Sequence, residues 1–289
     1  MVKFILLGHA RSGSNLLTCG LFKHPHVHMF GELFNESEEE RRRSFRASFK
    51  DCPVAARPHP SVSLDENSAY RDEEDGATFL ERAVYYRHAR EPMAVGFKMF
   101  SHQARTSDNA RKVWEYLIAD KEIRVIHLTR RNLFNSMVSL QLALRTDKWV
   151  RPRNLPLPAP EPPPVIRIGP EVCKGYFRQV MAGRRWVRAQ FRHHPVLEVE
   201  YEADMCERFQ ATMYRVQDFL EVPRRRARKM LEKQGRPAAE TVSNYGELKA
   251  HFAHTPYGVW FQNGAGRRRG RRASVVTSPV SAPSVAEAG

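Results

Sequence analysis

Cysteine is scarce in this chain, and its placement is poor for chemistry. Cys19, Cys52, Cys173 and Cys206 lie far apart and form no C-x-x-C pair. That spacing argues against a thiolate metal site or a redox pair and fits a reducing, cytoplasmic compartment. No apolar run approaches the roughly 18 residues of a membrane-spanning helix. The N-terminal "MVKFILLG" is too short for the core of a signal peptide. His24, His26 and His28 alternate without a Cys or carboxylate at ligand spacing, so no metal is expected there. One further absence is more telling. "FILLGHARSGSNLL" (residues 4–17) reads as a buried strand, a Gly/Ser turn and a helix, the outline of a phosphate-binding loop. Yet Ser14 follows Gly13, where an ATP- or GTP-binding loop carries lysine. Nor does an acid end a buried strand to hold Mg²⁺: "KFILL" closes in Leu7 and "VIHLT" in Thr129.

What the sequence does have is positive charge, +15 over 289 residues. Five arginines against Glu287 give the stretch 264–289 a net +4, so +11 belongs to the body. That tail is basic, then Ser/Pro/Ala-rich, with few large apolar residues, and is expected to be disordered. Residues 1–263 are expected to form a single domain. A basic body suits an anionic ligand or partner without choosing among them.

Strand signals at residues 3–7, 27–30, 93–100, 123–129 and 196–201 alternate with helix signals at 15–23, 78–89, 108–118, 132–145, 171–193 and around 205–219. Asp108 is placed to cap the third of these helices, and Leu133, Met137, Leu140 and Leu144 fall near one stripe of the fourth. Residues 36–92, dense in charge and proline, read largely as surface. A Pro-rich insert at about 150–170 can be neither helix nor central strand and reads as a surface crossing or a lid. This alternation predicts an α/β fold with a mainly parallel sheet and helices on both sides.

Gly8 and Gly13 permit a tight turn, and the amides that follow favour an anion at a helix N-terminus. A γ-phosphate needs Lys and Mg²⁺. A less charged sulfuryl group can be met by backbone amides and one cation, and Arg11 supplies a permanently charged fork. The second anion element is "TRRNLFNSMVS", in which Arg131 ends a strand and Ser139 lies eight residues on along a helix. Two helical turns cover about 12 Å, within which both side chains can reach one phosphate.

These two elements in this order resemble the sulfotransferases that use 3′-phosphoadenosine 5′-phosphosulfate (PAPS). "RSGSNLL" is similar to their 5′-phosphosulfate loop and "RRNLFNSMVS" to their 3′-phosphate element. "LEVEYEADM…VQDFLEV" and "VSNYGELKAHFAHTPY" are similar to later segments, the last to the bacterial carbohydrate-type branch that includes the trehalose and Nod-factor enzymes. The resemblance implies a P-loop-type three-layer α/β domain with a central, mainly parallel sheet. It also implies PAPS as co-substrate, PAP as product and a hydroxyl-bearing small-molecule or glycan acceptor. Arg11, Ser12, Gly13, Ser14, Asn15, Leu16, Arg131 and Ser139 would bind the nucleotide. The cytosolic phenol and steroid branch has lysine where Arg11 stands and tryptophan near Leu16, and its Arg-Lys-Gly segment has no counterpart here.

For the base that takes the acceptor proton, Glu32 in "HMFGELFN" ends a strand beside the loop strand, where α/β sheets place ligands. The resemblance implies a Glu base at this position. Glu36 is a stand-in. Lys98 in "GFKMFSHQ" can stabilise charge on the transferring group, and His102 is a rival base. Two other readings stay open: a P-loop kinase or NTPase with a degenerate loop and, ranked last, a nucleic-acid-binding protein footed on "EERRRSFR" and "PRRRARK".

Overall fold

The computed structural model describes residues 1–50, 69–86, 92–151, 153, 164–231 and 237–262. The tail from 264, Cys52 and the middle of the Pro-rich insert lie outside these residues. Among the described residues the elements run β1 (Val2–Gly8), α1 (Ser14–Phe22), β2 (Val27–Glu32), α2 (Glu38–Lys50), α3 (Gly76–Phe79), β3 (Ala94–Phe100), α4 (Asp108–Ala119), β4 (Arg124–Thr129), α5 (Leu133–Thr146), α6 (Pro170–Gln190), β5 (Val196–Glu200), α7 (Phe209–Phe219), α8 (Ala238–Thr241) and α9 (Tyr245–Phe252). The strands form one sheet in the order β2-β3-β1-β4-β5, and each neighbouring pair is parallel. The expected α/β class with a parallel central sheet is what the chain adopts.

The alternation of β1 explains the layers. Ile5 and Leu7 face one core with Phe97, Val113, Leu117 and Phe191, so α4 and the end of α6 cover that side. Phe4 and Leu6 face the other core with Leu17, Leu21, Met213 and Val216, so α1 and α7 cover this one. Both faces of the strand are buried, which is why it reads as a continuous apolar run. A third cluster joins α5, α6 and α9 through Phe134, Phe177, Phe252 and Phe261.

Several local expectations change. Ser107, not Asp108, caps α4, its hydroxyl accepting from the Ala110 amide at 3.1 Å. Of the helix expected at 78–89, the described part is one short turn, α3, followed by a wide π-type turn over Leu80–Val84, and residues 87–89 lie outside the described residues. That wide turn buries Leu80, Ala83, Val84 and Tyr85 together, and Tyr85 donates to the Phe4 carbonyl. The stripe on α5 runs out early, because Leu144 is 60% exposed. Met205 belongs to a π-type turn over Tyr201–Cys206 rather than to α7. Where described, residues 36–92 combine exposed positions such as Glu38, Arg42 and Arg71 with core ones, Phe45, Tyr70, Phe79 and Leu80. The end of the Pro-rich insert is also anchored, since Ile166 pairs with Val242 and the Asn244 side chain holds both backbone groups of Ile168.

Candidate functional site

The loop between β1 and α1 takes its shape from two backbone positions. Arg11 (φ 64°) and Gly13 (φ 93°) are both left-handed. At Gly13 a Cβ would stand 2.2 Å from the Tyr201 ring, so glycine is required by conformation and by space. Gly13 caps α1 with no side-chain hydrogen bond. The first amides of a helix have no intrahelical acceptor, so this end is left for an anion. Ser12 is fully buried, and its Oγ has no hydrogen-bond partner among the described residues. Buried hydroxyls are ordinarily paired, so an unpaired one beside an uncapped helix fits an oxyanion.

Arg11 donates from Nε to the Ser139 hydroxyl at 2.9 Å and from its terminal nitrogen to the Trp149 carbonyl. The two elements expected to hold the two ends of one nucleotide are thereby already in contact. Arg131 goes elsewhere: its guanidinium lies on the Glu200 carboxylate and its side chain is 61% exposed. Arg131 and Ser139 are therefore each held by another partner, not by a shared one. The buried member of the doublet is Arg130. It donates to the Arg11 carbonyl at 2.8 Å and lies 4.8 Å over the Tyr201 ring, and its Nε stands 3.9 Å from Glu202 Oε1 with no hydrogen-bond partner among the described residues. Arg184 of α6 donates in turn to the Arg130 carbonyl at 2.6 Å. Tyr176 donates to Ser136, which stands 3.3 Å from His9. Burial and the charges of Arg184 and Arg130 hold His9 well below the usual histidine range, hence neutral.

Leu16 lies at the first turn of α1. Its side chain is core and its amide bonds the Gly13 carbonyl. Ser14 is buried at the first turn of α1, and Asn15 faces the next strand.

That strand brings the second half of the site. Lys98, at the end of β3 and nearly buried, lies 2.8 Å from Glu32 Oε1 and donates to Asn15 Oδ1 at 2.5 Å. Glu32 also accepts from Asn35 at 2.9 Å and from Gln103 at 3.0 Å. Burial pushes the Glu32 carboxyl up. The Lys98 charge and these hydrogen bonds outweigh it, so the net effect is a value below the usual carboxylate range. Gln103 is itself fixed by the Phe100 amide at 2.9 Å. His102 is lowered by desolvation, with Glu36 and Glu32 opposing.

Arg130, Tyr176, Arg184, Tyr201 and Gln103 were not assigned from sequence. The Arg130–Arg131 doublet and the Tyr-Glu pair at 201–202 were visible there, but no spacing rule tells which arginine of a doublet turns inward. Among the described residues no group of three or more His, Cys, Asp or Glu side chains forms a metal site. Nor, among the described residues, is any helix long and apolar enough to cross a membrane.

No family model matches the chain. The nodulation protein H of Rhizobium tropici is 27% identical over 265 residues, which cover 90% of this chain and 92% of that protein. The nodulation protein H of Rhizobium meliloti (strain 1021) is 26% identical over 265 residues, covering 90% and 94% respectively. Among solved structures, a sulfotransferase from Alicyclobacillus acidocaldarius aligns over 86% of this chain and 90% of its own, at 14% identity and a TM-score of 0.44.

Proposed function

Starting from the chain's place in the bacterial Nod-factor sulfotransferase-like family, we propose that it moves the sulfuryl group of PAPS to a hydroxyl of a carbohydrate-type acceptor. The observation that carries this reading is the chain Glu32–Lys98–Asn15, which ties a partly buried carboxylate to the first turn of the loop helix through one lysine. A base for the acceptor and a cation for the leaving oxygen thus sit side by side.

In this reading the uncapped start of α1, Ser12 and Arg11 hold the 5′-phosphosulfate, and Arg131 and Ser139 take the 3′-phosphate. The orphaned Ser12 Oγ supports the fit of an anionic group. PAPS, when bound, supplies the activated sulfuryl group. Glu32 accepts the proton of the acceptor hydroxyl as its oxygen bonds to sulfur, while Lys98 and Arg11 offset the charge gathering on the phosphate oxygen that leaves. The indole of Trp149 is 39% exposed, donates to Asp147 and stands where its own carbonyl meets Arg11. It offers the kind of flat apolar face that suits a sugar ring.

Glu32→Gln keeps the shape and removes the base. Transfer from labelled PAPS should fall by about 10²- to 10⁴-fold while PAP affinity, by calorimetry, stays the same. Retained turnover would remove Glu32 from the mechanism. Calorimetry with ATP and Mg²⁺ beside PAP separates this reading from a kinase, which would bind the former. The pH profile distinguishes the bases. A carboxylate held below 4.5 keeps kcat/KM level until the pH falls into the carboxylate range, whereas an acid limb between that value and 6.5 would assign the role to His102.

A further inference from the structure

Helix α1 runs away from the loop, so its last turn lies about 13 Å from the anion site, toward the opposite end of the sheet. There, between α1 and the segment that leaves α7, is a second concavity of about 320 Å³. Lys23, Arg225, Arg226 and Arg228 line it, and no carboxylate does. Among the described residues none of these four cations is in an ion pair, although the adjacent Arg224 lies in a two-pronged pair with Asp218 at 2.7 Å.

The backbone carrying these arginines is fixed from beneath. Gln217, buried on α7, accepts from the Arg225 amide at 2.8 Å and donates to its carbonyl at 2.9 Å. His24, buried after α1, holds the Pro223 carbonyl at 2.9 Å. The Met230 carbonyl accepts from the Arg153 amide at 2.9 Å. Arginines on a merely solvated surface need no such clamps. A concavity lined by one sign of charge focuses its field and draws counter-ions. Guanidinium forks match phosphate and sulfate oxygens, and the volume lies at the small end of the range for ligand pockets.

We propose that this concavity binds a small organic phosphate or sulfate monoester, of the size of a monosaccharide ester, independently of the loop at the other end and of the transfer reading. The test titrates the full chain with glucose 6-phosphate, glucose 6-sulfate and neutral glucose, by calorimetry and by protection of Cys19, which lines the same concavity, from a thiol reagent. Either ester should bind, glucose should not, and the ester that binds identifies which source of the anion is used. Arg226→Ala/Arg228→Ala should weaken ester binding by about 10- to 150-fold and leave PAP affinity unchanged. Arg226→Lys/Arg228→Lys should recover part of the loss, and Arg131→Ala should leave ester binding intact. Equal binding by the double-alanine variant, binding of glucose as tight as its esters, absence of binding by both esters, or loss only in Arg131→Ala would each overturn the proposal.

Discussion

Two neighbouring strands, β1 and β4, each end in a turn that starts a helix, and the two turns resolve the helix start in opposite ways. The α5 turn is capped from within. Asn132 accepts from the Asn135 amide at 2.9 Å, and the Glu202 carboxylate takes the Arg131 and Asn132 amides at 2.8 and 3.1 Å. An internal anion thus already occupies that helix N-terminus. The α1 turn has a glycine cap, no acid in its first turn and a buried hydroxyl without a partner. An external anion at α1 can be met by backbone, whereas one near α5 must be met by side chains such as Arg131 and Ser139. On the proposed reading, this is also why the loop can do without the lysine of a nucleotide triphosphate loop, the sulfuryl group being of lower charge.

The largest way to break this contrast is at Gly13. Alanine there adds left-handed strain of about 1–2 kcal/mol and drives a methyl into Tyr201. PAP binding should be lost and the thermal midpoint should fall in a melting scan; an unchanged midpoint and affinity would refute the role given to this turn. Next is the arginine doublet. Arg131→Ala should weaken PAP binding by about 1.5–3 kcal/mol, the worth of a hydrogen bond to a charged group, with little change in stability, since the Arg131 side chain is itself exposed. Arg130→Ala should lower stability as well, because it removes the tether on the Arg11 carbonyl and the contact with Tyr201. If the two variants behave alike, the inward and outward assignments fall. The smallest effect is expected at Glu202→Gln, about 1 kcal/mol of stability from a weaker cap, with PAP affinity unchanged. A large loss of affinity there would mean that α5, too, meets the ligand by its backbone.

Acid should act on Glu32 in a defined direction. Its carboxyl is lower when folded than in the unfolded chain, so its contribution to stability is complete above about 4.5 and is lost as the pH falls through the folded value. Glu32→Gln should flatten that part of a stability-against-pH curve.

Much of this molecule was legible locally. The five strands, the helices between them and the Gly/Ser turn are written in runs of neighbouring residues, where a period of two or 3.6 is a property of the segment itself. Glu32 was legible as a strand-end residue, Lys98 as a charge-stabilising cation within a strand, and Arg11 as a loop cation. The direction of the Leu16 side chain was not legible, because a position inside a loop motif says nothing about which way a side chain turns. In the structure it turns into the core. The short helix near residue 80 was misread because a π-type turn spends the same residues on burying Tyr85.

The sequence by itself determined that this chain would build a parallel sheet and leave an uncapped helix start after its first strand. Those outcomes depend on apolar periodicity and on glycine, which act over a few residues. Only the tertiary structure decided that Lys98 would join Glu32 to Asn15, 83 residues away from the lysine, that Arg130 rather than Arg131 would hold the loop, and that Glu202 would fill the second helix start from 71 residues downstream. The sheet order puts β3 and β4 on either side of β1. Charges so far apart in sequence meet only once that order exists, and their desolvation then makes each pairing matter.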